Sequence, residues 1–149
     1  MSEKAPNEYP RPWLPPPPGR LLGRGHPAGD FLEAYDWTVL DHTPGSFKIE
    51  AHLPAHVKNP RGQLFGGFTP AYIDLVAVRT VHSLVAGGLR GVITLNMRVD
   101  YLEPVQDGRF RIESRIVHSR SKTHLTEVLL KSLDDKLLVF SIVTLRERT

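Results

Sequence analysis

Cysteine is missing from all 149 residues of the chain, and this absence removes several classes of protein at once. Without cysteine there is no disulfide framework, no thiolate nucleophile and no cysteine-ligated zinc site. Any chemistry that the chain performs must therefore use oxygen, nitrogen or backbone groups.

Long apolar runs are missing as well. No run approaches the ~20 residues that a membrane span needs, and the N-terminus lacks the apolar core of a secretory signal. We therefore expect no membrane insertion and a cytoplasmic protein. The chain also lacks a basic helix or a motif that reads bases, so no nucleic-acid partner is expected.

A metal site is not expected either. His52 and His56 have the spacing of paired metal ligands on a helix, but Pro54 between them prevents that helix. Serine-hydrolase chemistry is disfavoured because no Gly-x-Ser-x-Gly pattern occurs. The other histidines of the second half, including His118 and His124, are expected at the surface or at the edge of the core.

Proline and glycine are concentrated at the start of the chain, with a run from Pro15 to Pro18. This composition predicts a flexible, polyproline-like leader over residues 1–29. Residues 30–149 then form one domain, and the chain's 40% apolar and 23% charged residues are ordinary for a globular protein. The net charge of +3 is compatible with a polyanionic ligand but identifies none.

The domain begins with β-like segments and one long helix. A capped helical turn is predicted at 30–34, followed by strands at 37–40 and 46–53 around Pro44 and Gly45. Residues 68–85 predict a helix, with Thr69 as N-cap and Pro70 as its first residue, and Gly87 and Gly88 end it.

Four further strands follow the helix. They are predicted at 92–102, 109–118, 123–133 and 137–145, and we expect them to pair in sequence order as an antiparallel meander. The fold class is therefore α+β, with a curved antiparallel sheet wrapped around one long helix.

Asp74 is the residue of the helix that most needs an explanation. At about 100° per residue it falls on the side that carries Val78 and Val85, opposite Tyr72 and Arg79. A carboxylate among apolar neighbours is costly unless it is paired, and such carboxylates concentrate at functional sites. A plain ion pair between Asp74 and another element is the alternative.

The segment just before the helix supports a functional site. It contains Asn59, Gly62 and the sequence Phe65, Gly66, Gly67. Amides at a helix start have no partner inside the helix and suit a developing oxyanion. A glycine pair before a helix is nevertheless common, so this signal is weak by itself.

These features together resemble one family. Asn59, Gly62 and the Phe65, Gly66, Gly67 sequence, then Asp74 on the helix, Thr94 opening a strand, and a strand end at 100–104 are similar to the hotdog thioesterase superfamily. The nearest resemblance is to its phenylacetic-acid-degradation-related branch. The resemblance covers roughly residues 31–145 and implies a hotdog fold, hydrolysis of acyl-CoA thioesters, and homodimers or homotetramers. No cofactor is implied beyond the coenzyme A of the substrate.

The resemblance also assigns roles to residues. Asp74 matches the carboxylate that activates or orients the attacking water, and Gly66 matches the amide that polarises the thioester carbonyl. Asn59 matches a loop asparagine that places the nucleophile or carbonyl, and Thr94 matches a hydroxyl that supports the water. In the family, helices pair across a dimer interface, so Asn59 and Gly66 of one subunit face Asp74 and Thr94 of the other.

The substrate-binding residues implied are Phe65, Gly67, Arg120 and Lys122. Many relatives have histidine where this chain has Phe65, which keeps the Gly66 amide but removes an imidazole. Arg120 and Lys122 lie at a strand turn where the nucleotide end of coenzyme A often rests, although a solvated basic turn is the alternative. A non-catalytic acyl-CoA binder or regulator is the rival function, and a hotdog dehydratase or hydratase is weakened because no histidine partners Asp74.

Overall fold

The structure, a computed structural model, describes residues 16–85 and 91–148. In these residues a six-stranded antiparallel sheet packs against one long helix. The helices are α1 Pro27–Phe31 and α2 Thr69–His82, and the strands are β1 Thr38–Thr43, β2 Ser46–His52, β3 Val92–Tyr101, β4 Arg109–Arg120, β5 Thr123–Lys131 and β6 Leu137–Glu147. The α+β class expected from the sequence is confirmed.

The order of the strands differs from the expected meander. The sheet order is β1, β2, β4, β5, β6, β3, so β3 pairs with β6 at the edge and not with β4, its successor in the chain. The chain leaves β2, runs along α2 and returns at the far side of the sheet. The prediction of four strands paired in sequence order was therefore wrong for β3, because α2 carries the chain to the far edge of the sheet before β3 and the chain then returns to place β4 beside β2.

The helix boundaries also differ from the predicted ones. α2 is shorter than predicted: its last residue is His82, and Gly87 and Gly88 lie outside the described residues. Thr69 is its first residue and not its N-cap, because a 3-10 turn over Gly66–Phe68 runs directly into it. The first helical turn starts at Pro27, three residues before the predicted start, because the His26 side chain accepts a hydrogen bond from the Gly29 amide.

Part of the predicted leader packs against the domain. Leu21 and Leu22 are buried in the core, and Arg20 forms an isolated bridge with Thr38 of β1. Residues 1–15 lie outside the described residues. The domain boundary at residue 29 stays a prediction, and the two leucines favour a domain that begins closer to residue 16.

The core lies between α2 and the inner face of the sheet. Tyr72 of α2 stacks on Trp37, with ring centroids 5.4 Å apart, and meets Phe110 of β4 edge-on at 5.5 Å. All three are fully buried. Near the other end of α2, Thr80 shares a hydrogen bond of 2.7 Å with Ser114 of β4. These contacts fix the rotation of α2 and hence the direction in which Asp74 points.

Candidate active site

Asp74 and Thr94 meet where α2 crosses β3. The Thr94 hydroxyl donates a hydrogen bond of 2.5 Å to Oδ1 of Asp74. Asp74 is half-buried and Thr94 is exposed. Since a charged acceptor shortens and strengthens a hydrogen bond, Thr94 holds the carboxylate in one orientation. The other oxygen of Asp74 has no hydrogen-bond donor among the described residues.

A β-bulge places Thr94 in this contact. The pairing of β3 with β6 shifts register between Thr94 and Asn96, so Leu95 is the extra residue. Bulges bend a strand and re-aim its side chains, and they recur next to active sites. The bulge lies directly after Thr94, at the point where the strand must turn a hydroxyl towards the helix.

Tyr72, on the opposite side of α2, is not available for acid–base chemistry. Burial raises the pKa of its hydroxyl, and the negative charge of Glu33 adds to the shift. The side chain is fully buried and its hydroxyl has no partner in the described residues. The helix thus presents a neutral aromatic residue to the core and its carboxylate to Thr94 of the edge strand, whereas the helical spacing predicted only that the two side chains lie on opposite sides.

The glycine pair lies directly before the N-terminus of α2. Gly66 and Gly67 begin the 3-10 turn, where an amide has no partner within the turn. Within the described residues the Gly66 amide makes no hydrogen bond. It is also exposed. The amide is therefore free to donate to a ligand, and its role as oxyanion donor stays a prediction.

Tyr101 supports this turn, although no role for it was predicted from the sequence. Its hydroxyl donates a hydrogen bond of 2.7 Å to the Gly66 carbonyl, which also accepts from the Thr69 amide. Tyr101 ends β3, the strand that carries Thr94. The strand that supplies the hydroxyl for Asp74 thus also holds the glycine turn. This contact joins residues 35 positions apart, so no local pattern in the sequence indicates it.

Asn59 holds the loop that leads to the glycine pair. Its Oδ1 accepts hydrogen bonds from the amides of Arg61, at 2.9 Å, and Gln63, at 3.1 Å. Gly62, at the tip of this turn, has φ +75°, a conformation that favours glycine. The side-chain oxygen of Asn59 is therefore used within its own loop, and its NH₂ group is the part left for a substrate.

Three aromatic rings lie near the N-terminus of α2. Phe65 lies half exposed, and its ring covers Gly67 so closely that a Cβ there would come within 2.7 Å of it. Phe68 stands between Phe65, at 5.5 Å, and Phe31, at 5.4 Å between ring centroids. These rings offer an apolar surface beside the free Gly66 amide.

The structure thus assembles the predicted residues into two groups. Asp74 and Thr94 form one, and Asn59, Phe65, Gly66 and Gly67 form the other on the loop before α2. Within the described residues no hydrogen bond joins a side chain of one group to the other. Arg120 and Lys122 lie apart, at the turn between β4 and β5.

The described residues contain neither a candidate metal site nor a helix that could span a membrane. No group of three His, Asp or Glu side chains within them could hold a metal ion. His52 instead lies 2.8 Å from Glu33, and His56 lies 2.5 Å from the Phe31 carbonyl. No helix in residues 16–85 and 91–148 has both the length and the apolarity to cross a membrane.

Comparison with known proteins places this architecture in a family. The model of the Thioesterase superfamily matches residues 61–139, which include the glycine pair, Asp74 and Thr94. The chain belongs to the Thioesterase superfamily. The expectation of a thioester hydrolase is thereby confirmed, whereas the phenylacetic-acid-related branch stays a prediction.

Solved structures confirm the hotdog fold. A hypothetical thioesterase from Streptococcus pneumoniae, crystallised with coenzyme A, is 19% identical and superposes with a TM-score of 0.67, over 76% of this chain and 89% of its own. A thioesterase from Staphylococcus aureus is 21% identical, with a TM-score of 0.71 over 80% of this chain and 99% of its own. A protein of Saccharolobus solfataricus described as an esterase is 24% identical over 74% of this chain and 77% of its own.

Proposed function

We propose that this protein hydrolyses acyl-CoA thioesters, with Asp74 as general base or nucleophile and the Gly66 amide as oxyanion donor. The observation that carries the proposal is the Thr94 hydrogen bond to Asp74. It engages one carboxylate oxygen and leaves the other without a hydrogen-bond donor among the described residues. A carboxylate fixed in this way is suited to take a proton from water.

The proposed reaction uses few groups. Asp74 takes a proton from water while the oxygen attacks the thioester carbonyl, and the Gly66 N–H stabilises the negative charge that develops on the carbonyl oxygen. When the carbon–sulfur bond breaks, the thiolate of coenzyme A leaves and takes up a proton. Thr94 holds Asp74, and the NH₂ group of Asn59 helps to place the carbonyl. In the nucleophile variant, Asp74 itself attacks and water then hydrolyses the anhydride.

The aromatic rings and the basic turn are the proposed substrate-binding parts of the protein. Phe65 and Gly67 line the place of the acyl group beside the Gly66 amide, and Arg120 and Lys122 contact the phosphates of coenzyme A. That the relative from Streptococcus pneumoniae was crystallised with coenzyme A supports this ligand.

We further propose that the site is completed by a second subunit. β3 is an edge strand, and its exposed apolar residues Ile93 and Leu95 flank Thr94. An apolar edge strand left open in this way favours pairing with another chain. In a two-fold dimer, Asn59 and Gly66 of one subunit would face Asp74 and Thr94 of the other.

The test is a hydrolysis screen across short, medium, long and aromatic acyl-CoA esters, with release of free thiol as the readout. Asp74→Asn keeps the size of the side chain but removes the basic oxygen, so turnover should fall strongly while acyl-CoA binding is retained. Wild-type rates in the purified variant would contradict the assignment of Asp74. Binding without turnover in the wild-type protein would instead support the non-catalytic acyl-CoA binder, the rival that the exchange of histidine for Phe65 favours.

A further inference from the structure

Three polar side chains form a hydrogen-bonded chain near the tip of the β4–β5 hairpin. Oγ of Ser119 lies 2.7 Å from Nδ1 of His124, and Nε2 of His124 lies 2.7 Å from Oε1 of Glu147. The order along the chain is therefore hydroxyl, imidazole, carboxylate. None of the three residues has a role in the proposed thioester hydrolysis at Asp74.

Strand register places this chain on the inner face of the sheet. Ser119 pairs with His124, and His124 pairs with Leu145 of β6, so the three side chains form one row. His124 and Leu145 are buried, whereas Ser119 is exposed. Arg120 follows Ser119 in the strand and points to the opposite face. A buried imidazole thus holds an exposed hydroxyl, on the other face of the hairpin from the basic side chain of Arg120.

The partners of His124 determine which ring nitrogen carries the proton in the neutral imidazole. A carboxylate only accepts hydrogen bonds, so Nε2 donates its proton to Glu147. Nδ1 then keeps its lone pair and accepts from the Ser119 hydroxyl. His124 is therefore oriented as a base towards this hydroxyl. The charge of Glu147 stabilises the imidazolium that forms when the hydroxyl gives up its proton.

This arrangement has the geometry of an activated serine. The nucleophile and the base lie within hydrogen-bond reach, and a third group orients the base. Triads of this kind are recognised by geometry and not by sequence position, so a missing Gly-x-Ser-x-Gly pattern does not exclude one. The two ring nitrogens have exchanged roles relative to the serine-protease triad. Either nitrogen of a neutral imidazole can be the acceptor, so the exchange preserves the chemistry.

The backbone of Ser119 supplies a donor beside its hydroxyl. Arg120 and Thr123 close a two-residue turn and form a pair that is hydrogen-bonded through the backbone. Because such pairs alternate along an antiparallel ladder, the amide of the next residue, Ser119, points away from β5. On that side β2 pairs with β4 only as far as Arg115. Within the described residues the Ser119 amide makes no hydrogen bond there, so it can stabilise a developing oxyanion.

We propose that Ser119 is the nucleophile of a second hydrolytic centre that cleaves small carboxylic esters, with His124 as general base and Glu147 as positioning residue. The hydroxyl attacks the ester carbonyl, its proton passes to Nδ1 of His124, and the Ser119 N–H donates to the carbonyl oxygen. When the carbon–oxygen bond breaks, the alcohol takes that proton and leaves an acyl group on Ser119. Water then attacks this group and gives a proton to His124, and release of the acid returns the proton to the Ser119 oxygen.

Covalent labelling tests the nucleophile directly. Diisopropyl fluorophosphate reacts with an activated serine: the serine oxygen bonds to phosphorus, fluoride leaves, and the hydroxyl proton goes to the base. Incubation of the full chain with this reagent, followed by mass spectrometry of its peptides, should show one adduct, on Ser119. His124→Gln keeps an amide donor for Glu147 but has no base, so labelling should slow by about a hundredfold or more. Glu147→Gln should also slow labelling, because a neutral amide does not stabilise the imidazolium.

Ser121→Gly is the matched control. Ser121 is an exposed serine in the turn of the same hairpin, and its φ of 52° suits glycine. This variant should label as the wild type does, whereas Ser119→Ala should not label. Thermal unfolding checks that all variants fold, and Glu147→Gln carries the test of the base if His124→Gln does not fold. The inference is overturned if the folded wild type stays unlabelled under excess reagent or carries its adduct on another serine. It is also overturned if the folded His124→Gln, or Glu147→Gln in its place, labels as fast as Ser121→Gly.

Asp74→Asn separates this centre from the proposed thioesterase. It should label as the wild type does and should keep the hydrolysis of p-nitrophenyl acetate, which Ser119→Ala should lose. Thiol release from acyl-CoA esters should show the opposite pattern in the two variants. If Asp74→Asn loses p-nitrophenyl acetate hydrolysis and Ser119→Ala keeps it, ester cleavage belongs to Asp74 and the second centre is contradicted. If no acyl-CoA ester is hydrolysed but labelling of Ser119 depends on His124, the thioesterase is contradicted and the second centre is supported.

Discussion

The Gly66 amide can be removed while the glycine turn keeps its shape. Proline lacks the N–H and needs an extended residue before it. Phe65 is extended, with φ −64° and ψ 126°, and Gly66 is the first residue of the 3-10 turn, where proline is well accepted. Gly66 is not among the residues with positive φ. Gly66→Pro should therefore fold and lose the oxyanion donor.

Gly66→Ala is the matched control for this variant. A Cβ at Gly66 meets Tyr101 at 3.7 Å, an ordinary contact, so alanine adds bulk and keeps the N–H. Loss of one oxyanion donor lowers kcat by about a hundred- to a thousand-fold. We expect this fall in Gly66→Pro and near wild-type turnover in Gly66→Ala, measured as thiol release from the best acyl-CoA ester. Unfolding midpoints of both variants should agree. Equal kcat in the two variants would refute the role of the Gly66 amide.

Three other predictions test the role of the Thr94 hydroxyl, the sharing of the site between subunits and the start of the folded domain. Thr94→Val should lower kcat by about ten- to a hundred-fold with KM little changed, because the Asp74 carboxylate loses the hydrogen bond from Thr94. Thr94→Ser keeps a hydroxyl and should restore the rate. A wild-type kcat in Thr94→Val would exclude a positioning role for Thr94. Co-expression of Asp74→Ala with Gly66→Pro should recover roughly a quarter of wild-type sites in random dimers if the site is shared between subunits, and verified heterodimers without activity would contradict that sharing. Leu22→Ala should cost about 2–5 kcal/mol in urea unfolding, whereas an unchanged unfolding midpoint would place residue 22 outside the domain.

The elements themselves could be predicted because their periods are local properties. The alternation of apolar and polar residues in β4, β5 and β6 and the presence of one long helix at α2 are visible in the sequence. The position of β3 could not be predicted in the same way. Its partner is determined by where α2 crosses the sheet, which depends on the packing of Tyr72 and Thr80 and not on any neighbour in the chain.

In the candidate site, too, local features could be predicted and long-range contacts could not. Asp74 could be singled out because a carboxylate interrupts an apolar helix side, and Gly66 because a glycine pair precedes a helix. The link between Tyr101 and the Gly66 carbonyl spans 35 residues, and nothing in the local sequence indicates it. His124 was expected at the surface or core edge, but it is buried between Ser119 and Glu147, at 2.7 Å from each. Its partners come from different strands, so only the register reveals the contact.

The edge position of β3 makes this strand a reporter of assembly. In an antiparallel edge strand, alternate amides pair with the neighbouring strand, here β6, and the others point away from the sheet. Those outward amides exchange with solvent in an isolated subunit, whereas pairing with a second chain would protect them. Hydrogen exchange of the residues around Thr94 would then slow at the protein concentration at which the shared site forms, so one measurement on one strand follows both subunit association and completion of the site.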